Sequence, residues 1–187
     1  MKRSNSGRIS TLRMIITVAF VSTSAALLAS SLTISGSEYG QSFRLSACPS
    51  GQVVVGVAAK QGWYIDSVAP LCSAVTSTGR WSGPVSQLAS IGGSGGYIRV
   101  AQCNDNAAVV GMSGKIGRWL TGLEIECRKL VSPTRVSSTS SIYSVSAGGA
   151  QYGTIAESRD CSGHRPVVAL SGRYTWYVNQ LTMTCAD

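Results

Sequence analysis

The sequence is poor in charge and in histidine: 13% of its 187 residues are Asp, Glu, Lys or Arg, and His164 is the single histidine. His164 follows Cys161 and Ser162 in a short segment with no evident Ser or Cys nucleophile, so it reads as a solvated loop histidine rather than a general base. No two of the six Cys are close in sequence, which argues against a metal cluster, and neither a metal nor any other cofactor is expected. Beyond the first thirteen residues, adjacent basic residues occur only at Arg128 and Lys129, so there is no stripe to read phosphates and no nucleic-acid partner is expected. No stretch after residue 29 carries an apolar stripe at a period of 3.6 residues, and almost no helix is expected. There is also no Asn-x-Ser/Thr sequon.

What the chain does have begins with a leader. Lys2, Arg3, Arg8 and Arg13, with no acid among them, precede an apolar run from Met14 to Ala29. That run falls short of the roughly 20 apolar residues needed to span a bilayer, and it ends in small residues around Ala29, Ser30 and Ser31. Residues 1–31 are therefore expected to be a signal peptide, cleaved to leave a secreted protein, extracellular or periplasmic, with no membrane span. No Cys stands close behind the apolar run to take a lipid, since the first is Cys48. Losing the four leader cations leaves twelve basic residues against eight acidic ones, so the formal charge falls from +8 to +4.

Residues 32–187 are expected to form one domain, large enough to bury about 70% of its unfolded surface. All six Cys lie in it, an even number in an oxidising compartment, which reads as three disulfides. Cys48 and Cys72, Cys103 and Cys127, and Cys161 and Cys185 stand at equal spacing, and the segments between them align without a gap. In that alignment Gly56, Gly111 and Ala169 share a column. So do Lys60, Lys115 and Arg173, then Tyr64, Trp119 and Tyr177, then Ile65, Leu120 and Val178, then Val68, Leu123 and Leu181. Upstream, Gly40, Gly95 and Gly153 each stand eight residues before the first Cys of their copy. The chain thus holds three repeats, at approximately 36–72, 92–127 and 148–185. Equal spacing favours disulfides within copies, although bonds between copies are equally symmetric.

Short runs rich in Val, Ile, Tyr and Trp alternate with polar residues, and Gly, Ser and Pro punctuate them, so each repeat is expected to be a small β-sheet. Three such sheets would bury their apolar faces around a pseudo-threefold axis. The Gly-rich loops, the GQSFRL strand at 40–45, the VVVGV strand and the loop Gly62-Trp63-Tyr64-Ile65-Asp66 resemble the jacalin-related lectins. That resemblance implies an all-β, disulfide-bonded β-prism of three Greek-key sheets. By pattern the chain is also similar to the vitelline membrane outer layer protein, another β-prism with repeats ending in Cys.

The resemblance further implies a sugar site between a Gly-rich loop and the Gly-aromatic-aromatic-apolar-Asp loop. Here that places Gly62, Trp63, Tyr64 and Asp66 at the site, with Gly92 and Gly93 of the GGSGG segment as backbone donors. A carboxylate accepts from two sugar hydroxyls, glycine backbone approaches closely, and an aromatic face covers the C–H side of the ring. Copy two reads Arg118 for the first aromatic and Thr121 for the Asp. Copy three, with Trp176, Tyr177 and Asn179, offers a possible second site.

Each piece has a plainer use. Gly62 and Gly117 can serve as hairpin turns, Asp66 can cap its own backbone, and of the adjacent Trp63 and Tyr64 one should point in and the other out. Glu124 and Glu126 share a strand face, but their equivalents, Ala69 with Leu71 and Thr182 with Thr184, mark them as solvent-face residues rather than a hydrolase pair. The sequence therefore points to a carbohydrate-binding protein rather than an enzyme, with a glycan or glycoconjugate as partner and self-association left open. The alternative is a structural or protein-binding secreted prism that holds no sugar.

Overall fold

A computed structural model describes residues 30–150 and 152–187; most of the expected leader lies outside this range. The described residues are all β, and no helix among them is long and apolar enough to cross a membrane. The first edge runs as β1 (Ser31–Ser35) and β2 (Gln41–Ala47), and a long hairpin follows as β3 (Gln52–Gln61) and β4 (Ile65–Ala74). Short β5 (Ser86–Gln87) and β6 (Ile91–Gly92) then lead into β7 (Tyr97–Gln102). The second hairpin is β8 (Ala107–Ile116) and β9 (Leu120–Ser132), followed by β10 (Arg135–Val136), β11 (Tyr143–Gly148) and β12 (Thr154–Asp160). The third hairpin is β13 (Val167–Tyr174) and β14 (Val178–Cys185).

Three antiparallel sheets result, ordered β5-β4-β3-β7 with β6 on β4, β10-β9-β8-β12 with β11 on β9, and β1-β14-β13-β2. In the first, β7 returns to lie beside β3 after β4 and β6, which is a Greek key built from one continuous stretch. The second repeats this pattern. The third is assembled from the two ends of the chain, β13 and β14 from the last repeat with β1 and β2 from the start. The sheet is therefore not coextensive with the repeat read from the Cys spacing. A hairpin from one copy takes its edge strand from the next, because the segment after each hairpin folds back onto it. Ser31, the last residue assigned to the leader, opens β1 and pairs with Thr184.

The shared apolar columns make the core. Ile65, Leu120 and Val178, and below them Val68, Leu123 and Leu181, are buried from solvent in one cluster that draws on all three sheets. Each hairpin carries the same two irregularities, one skipping Val55, Val110 or Val168 and one just before its tip. Bulges of this kind bend the strands toward closure. A smaller outer cluster, Val53, Val55 and Leu71 with Val110, Leu130 and Val136, is packed by Trp81, whose indole N–H donates to Ala107 O at 3.0 Å.

The disulfides are Cys48–Cys72, Cys103–Cys127 and Cys161–Cys185, the within-copy pairing, with Cα separations of 5.7, 5.7 and 5.9 Å. Each joins the end of an edge strand in one sheet to a hairpin strand of the next, so the three close a ring of staples around the prism. The closed loops are of equal length. We therefore predict that the double substitutions Cys48→Ala/Cys72→Ala, Cys103→Ala/Cys127→Ala and Cys161→Ala/Cys185→Ala each lower unfolding free energy by about 3 kcal/mol. Urea unfolding of the three variants checks this, and an unchanged midpoint for any one would show that its staple constrains nothing.

Candidate functional site

The three hairpin tips meet at one end of the prism. Each makes the same turn, in which Gly62, Gly117 or Thr175 donates its N–H to the carbonyl of Tyr64, Trp119 or Tyr177 at 3.0–3.1 Å. Thr175 fills this position as well as glycine does, and a Cβ at Gly62 would meet nothing within 4 Å, so the turn itself does not require Gly62. Strand alternation then splits each aromatic pair. Tyr64, Trp119 and Tyr177 turn inward and form a triangle on the pseudo-threefold axis, with ring centroids 4.5, 5.0 and 5.4 Å apart. Trp63 and Trp176 point outward, 74% and 82% exposed.

The column that varies most in chemistry, Asp66, Thr121 and Asn179, is buried in all three copies. Asn179 donates through Nδ2 to Ser37 Oγ at 2.9 Å and accepts at Oδ1 from Thr175 Oγ1 at 3.1 Å. Thr121 Oγ1 lies 3.0 Å from Lys115 O and also reaches Tyr152 O. At Asp66 the neighbouring groups are glycines: a Cβ on Gly95 would come within 2.6 Å of one carboxylate oxygen, and one on Gly96 within 2.7 Å of the other. The 92–96 segment thus wraps the carboxylate. Burial raises the Asp66 pKa, opposed by a hydrogen bond from its own backbone N–H and by the charge of Lys60.

These contacts also refine the glycine column. Gly40, Gly96 and Gly153, rather than Gly95, are structural equivalents, each at positive φ against the backbone of Tyr174, Gln61 or Ile116. The strands that follow Gly40 and Gly153 carry a bulge residue, whereas β7 pairs with β3 in unbroken register. The count back from Cys103 is therefore one short.

One pocket of about 300 Å³ gathers Gly62, Trp63, Tyr64, Asp66 and Gly96 with Tyr152 and Tyr177. Of the residues expected at the site, Gly62, Trp63, Tyr64 and Asp66 are thus together. Gly92 pairs with Ser67 in β6, and the Gly93 N–H donates to Asp66 O at 2.7 Å, so these two glycines fix the loop, and Gly96 lines the pocket. Tyr152, from the 148–153 loop of the third repeat, was not foreseen. Its ring lies 6.2 Å from Trp63 and from Tyr64, and its only sequence signal is a tyrosine inside a glycine loop. The expected second trio is dispersed: Trp176 lines a separate pocket of about 460 Å³ with Gly40, Gln41, Tyr174 and Thr175, Tyr177 faces the first pocket, and Asn179 is buried.

Glu126 departs from the solvent-face reading, since it is only 7% exposed between β8 and β11. His164 is exposed at the opposite end of the prism with its Nδ1 2.9 Å from an Arg128 guanidinium nitrogen.

The buried Asp66 generates a pH-dependent prediction. Its folded-state pKa exceeds its unfolded value, so the folded chain holds the proton more tightly and stability falls as pH rises through the aspartate range. Asp66→Asn, which copies Asn179 in the equivalent position, should be at least as stable as wild type at neutral pH, with the difference vanishing below the ordinary aspartate pKa. Urea unfolding of both proteins across that range measures the slope, and a wild type that gains stability with pH relative to the variant would reverse the assignment.

No protein-family model matches the sequence, nor does any curated protein. Solved structures do match in fold. Malaysian banana lectin aligns over 85% of this chain and 99% of its own at 14% identity, TM-score 0.58. AcmJRL, a mannose-binding jacalin-related lectin from Ananas comosus, aligns over 85% and 98% at 16% identity, TM-score 0.56. Artocarpin, in a complex with mannopentose, aligns over 85% and 98% at 9% identity, TM-score 0.60. The fold is the jacalin-like β-prism, as the glycine-aromatic motif implies.

Proposed function

We propose that the chain is a secreted carbohydrate-binding protein whose sugar sits at the tip of the first hairpin. The observation that carries this reading is the pocket itself, where the Asp66 carboxylate is ringed by glycine backbone and flanked by the Trp63 and Tyr152 rings. An ionised carboxylate accepts hydrogen bonds from two neighbouring hydroxyls of a sugar ring, and charged acceptors make the stronger bonds. Exposed indole and phenol faces cover the apolar C–H side of the same ring at small entropic cost. Lys60 favours the ionised form needed for this role. Nothing in the pocket supplies the acid and nucleophile pair of a glycosidase, so the site holds its ligand without turning it over. The names of the structural neighbours make mannosides the first ligands to test.

A second reading is favoured by the buried column. Because Thr121 bonds Tyr152 O and Asn179 bonds Ser37 Oγ, each in the glycine loop of a neighbouring copy, Asp66 can be understood as a loop anchor in a structural or protein-binding prism. A glycan array separates the two readings. The sugar-binding reading predicts defined hits that Asp66→Ala weakens by about tenfold or more, the loss of a charge-assisted contact of about 1.5–3 kcal/mol. An array without hits, or hits indifferent to the substitution, would favour the anchor.

A further inference from the structure

The sugar pocket accounts for Trp63 and Tyr152 but leaves most of the aromatic surface at its end of the prism without a role. The described aromatic side chains with large exposure are Tyr39, Trp63, Tyr97, Tyr152 and Trp176, at 80, 74, 69, 42 and 82%. All five lie at the hairpin-tip end. Trp63 and Trp176 occupy the outward position of the first and third tips, and Tyr39 and Tyr152 precede Gly40 and Gly153 in the glycine loops. Tyr97 follows Gly96 and pairs with Gln61 beside the first tip. The pattern is therefore threefold: every glycine loop contributes an exposed tyrosine, and the three tips contribute Trp, Arg118 and Trp.

The same end is basic. Arg118 is exposed at the second tip with its guanidinium 5.2 Å from the Trp119 ring centre, and Lys60, Lys115 and Arg173 stand close below the tips in one repeated column. Glu38 is exposed there too, and Asp66 is buried. Large exposed apolar side chains set around a common axis mark a contact surface. Trp and Tyr, with an apolar ring and a polar edge, favour the bilayer–water boundary, and basic residues beside them favour an anionic leaflet. We propose that this end of the prism docks on an anionic phospholipid surface, with the pseudo-threefold axis normal to the bilayer and Trp63 and Trp176 seated among the headgroups.

The proposal does not depend on sugar binding and is tested without carbohydrate. Vesicles of phosphatidylserine and brominated phosphatidylcholine quench tryptophans that reach the acyl boundary, so the readout reports the tips themselves and not any other attachment of the chain. Wild-type emission should be quenched on these vesicles, weakly on vesicles without phosphatidylserine, and less as salt is added. Trp63→Phe/Trp176→Phe should remove most of the quenching, because Trp81 packs on the outer cluster away from the tips and Trp119, although at the tip end, is half-buried in the axial aromatic triangle; near-ultraviolet circular dichroism verifies that the variant is folded. Arg118→Gln should weaken partitioning about fivefold, the effect of one basic residue near such a surface. Asp66→Asn should leave quenching intact, which separates this contact from the sugar site. Absence of quenching in wild type, or quenching undiminished in the double tryptophan variant, would overturn the proposal. So would a tip-tryptophan emission that shifts with protein concentration in the absence of vesicles, which would identify a second copy as the occupant.

Discussion

Everything in this molecule follows from a closure condition: no hairpin can complete its own sheet. Each of the three long hairpins buries one face in the shared core and takes its edge strand from the segment that follows it or, for the third, from the start of the chain. The three units thereby become mutually dependent. The disulfides enforce this dependence, since each ties the end of one sheet's edge strand to the next sheet's hairpin. A ring closed in this way leaves two ends, one holding the disulfide-linked turns and the other the three hairpin tips.

The tips inherit threefold geometry from that closure and use it in two ways. Inward-facing Tyr64, Trp119 and Tyr177 fill the axis, where three small side chains would leave a void, and thereby fix the positions of the outward neighbours. Outward positions are free to differ. The buried column beneath them meets the glycine loops by a different chemistry in each copy: a carboxylate packed against Gly95 and Gly96, a hydroxyl that bonds Tyr152 O, and an amide that bonds Ser37 Oγ. Of the three, only the carboxylate carries a charge whose burial costs stability, which supports the ligand role proposed for Asp66.

Much of this was legible in the residues. The Cys spacing and the apolar columns at Ile65 and Val68 carry the period of the fold, because core positions tolerate little variation in size or polarity. The pairing of Trp63 and Tyr64 likewise revealed itself through strand alternation. Three things were hidden. The exchange of edge strands between repeats depends on which way a loop folds back, which spacing does not encode. The one-residue offset that makes Gly96 the partner of Gly40 depends on a bulge that is present in two edge strands and absent from the third. Tyr152 reaches the Asp66 pocket from a repeat two hairpins away, a contact that exists only after closure.

The central claim is that a ligand-binding carboxylate has been placed in one of three equivalent tips, and amide NMR titration with a panel of methyl glycosides tests it most directly. The account predicts saturable shifts for at least one glycoside, concentrated at residues 62–66, 95–96 and 152, with the tips at 117–119 and 175–176 little affected. Shifts of equal size at all three tips, or none for any glycoside, would contradict it.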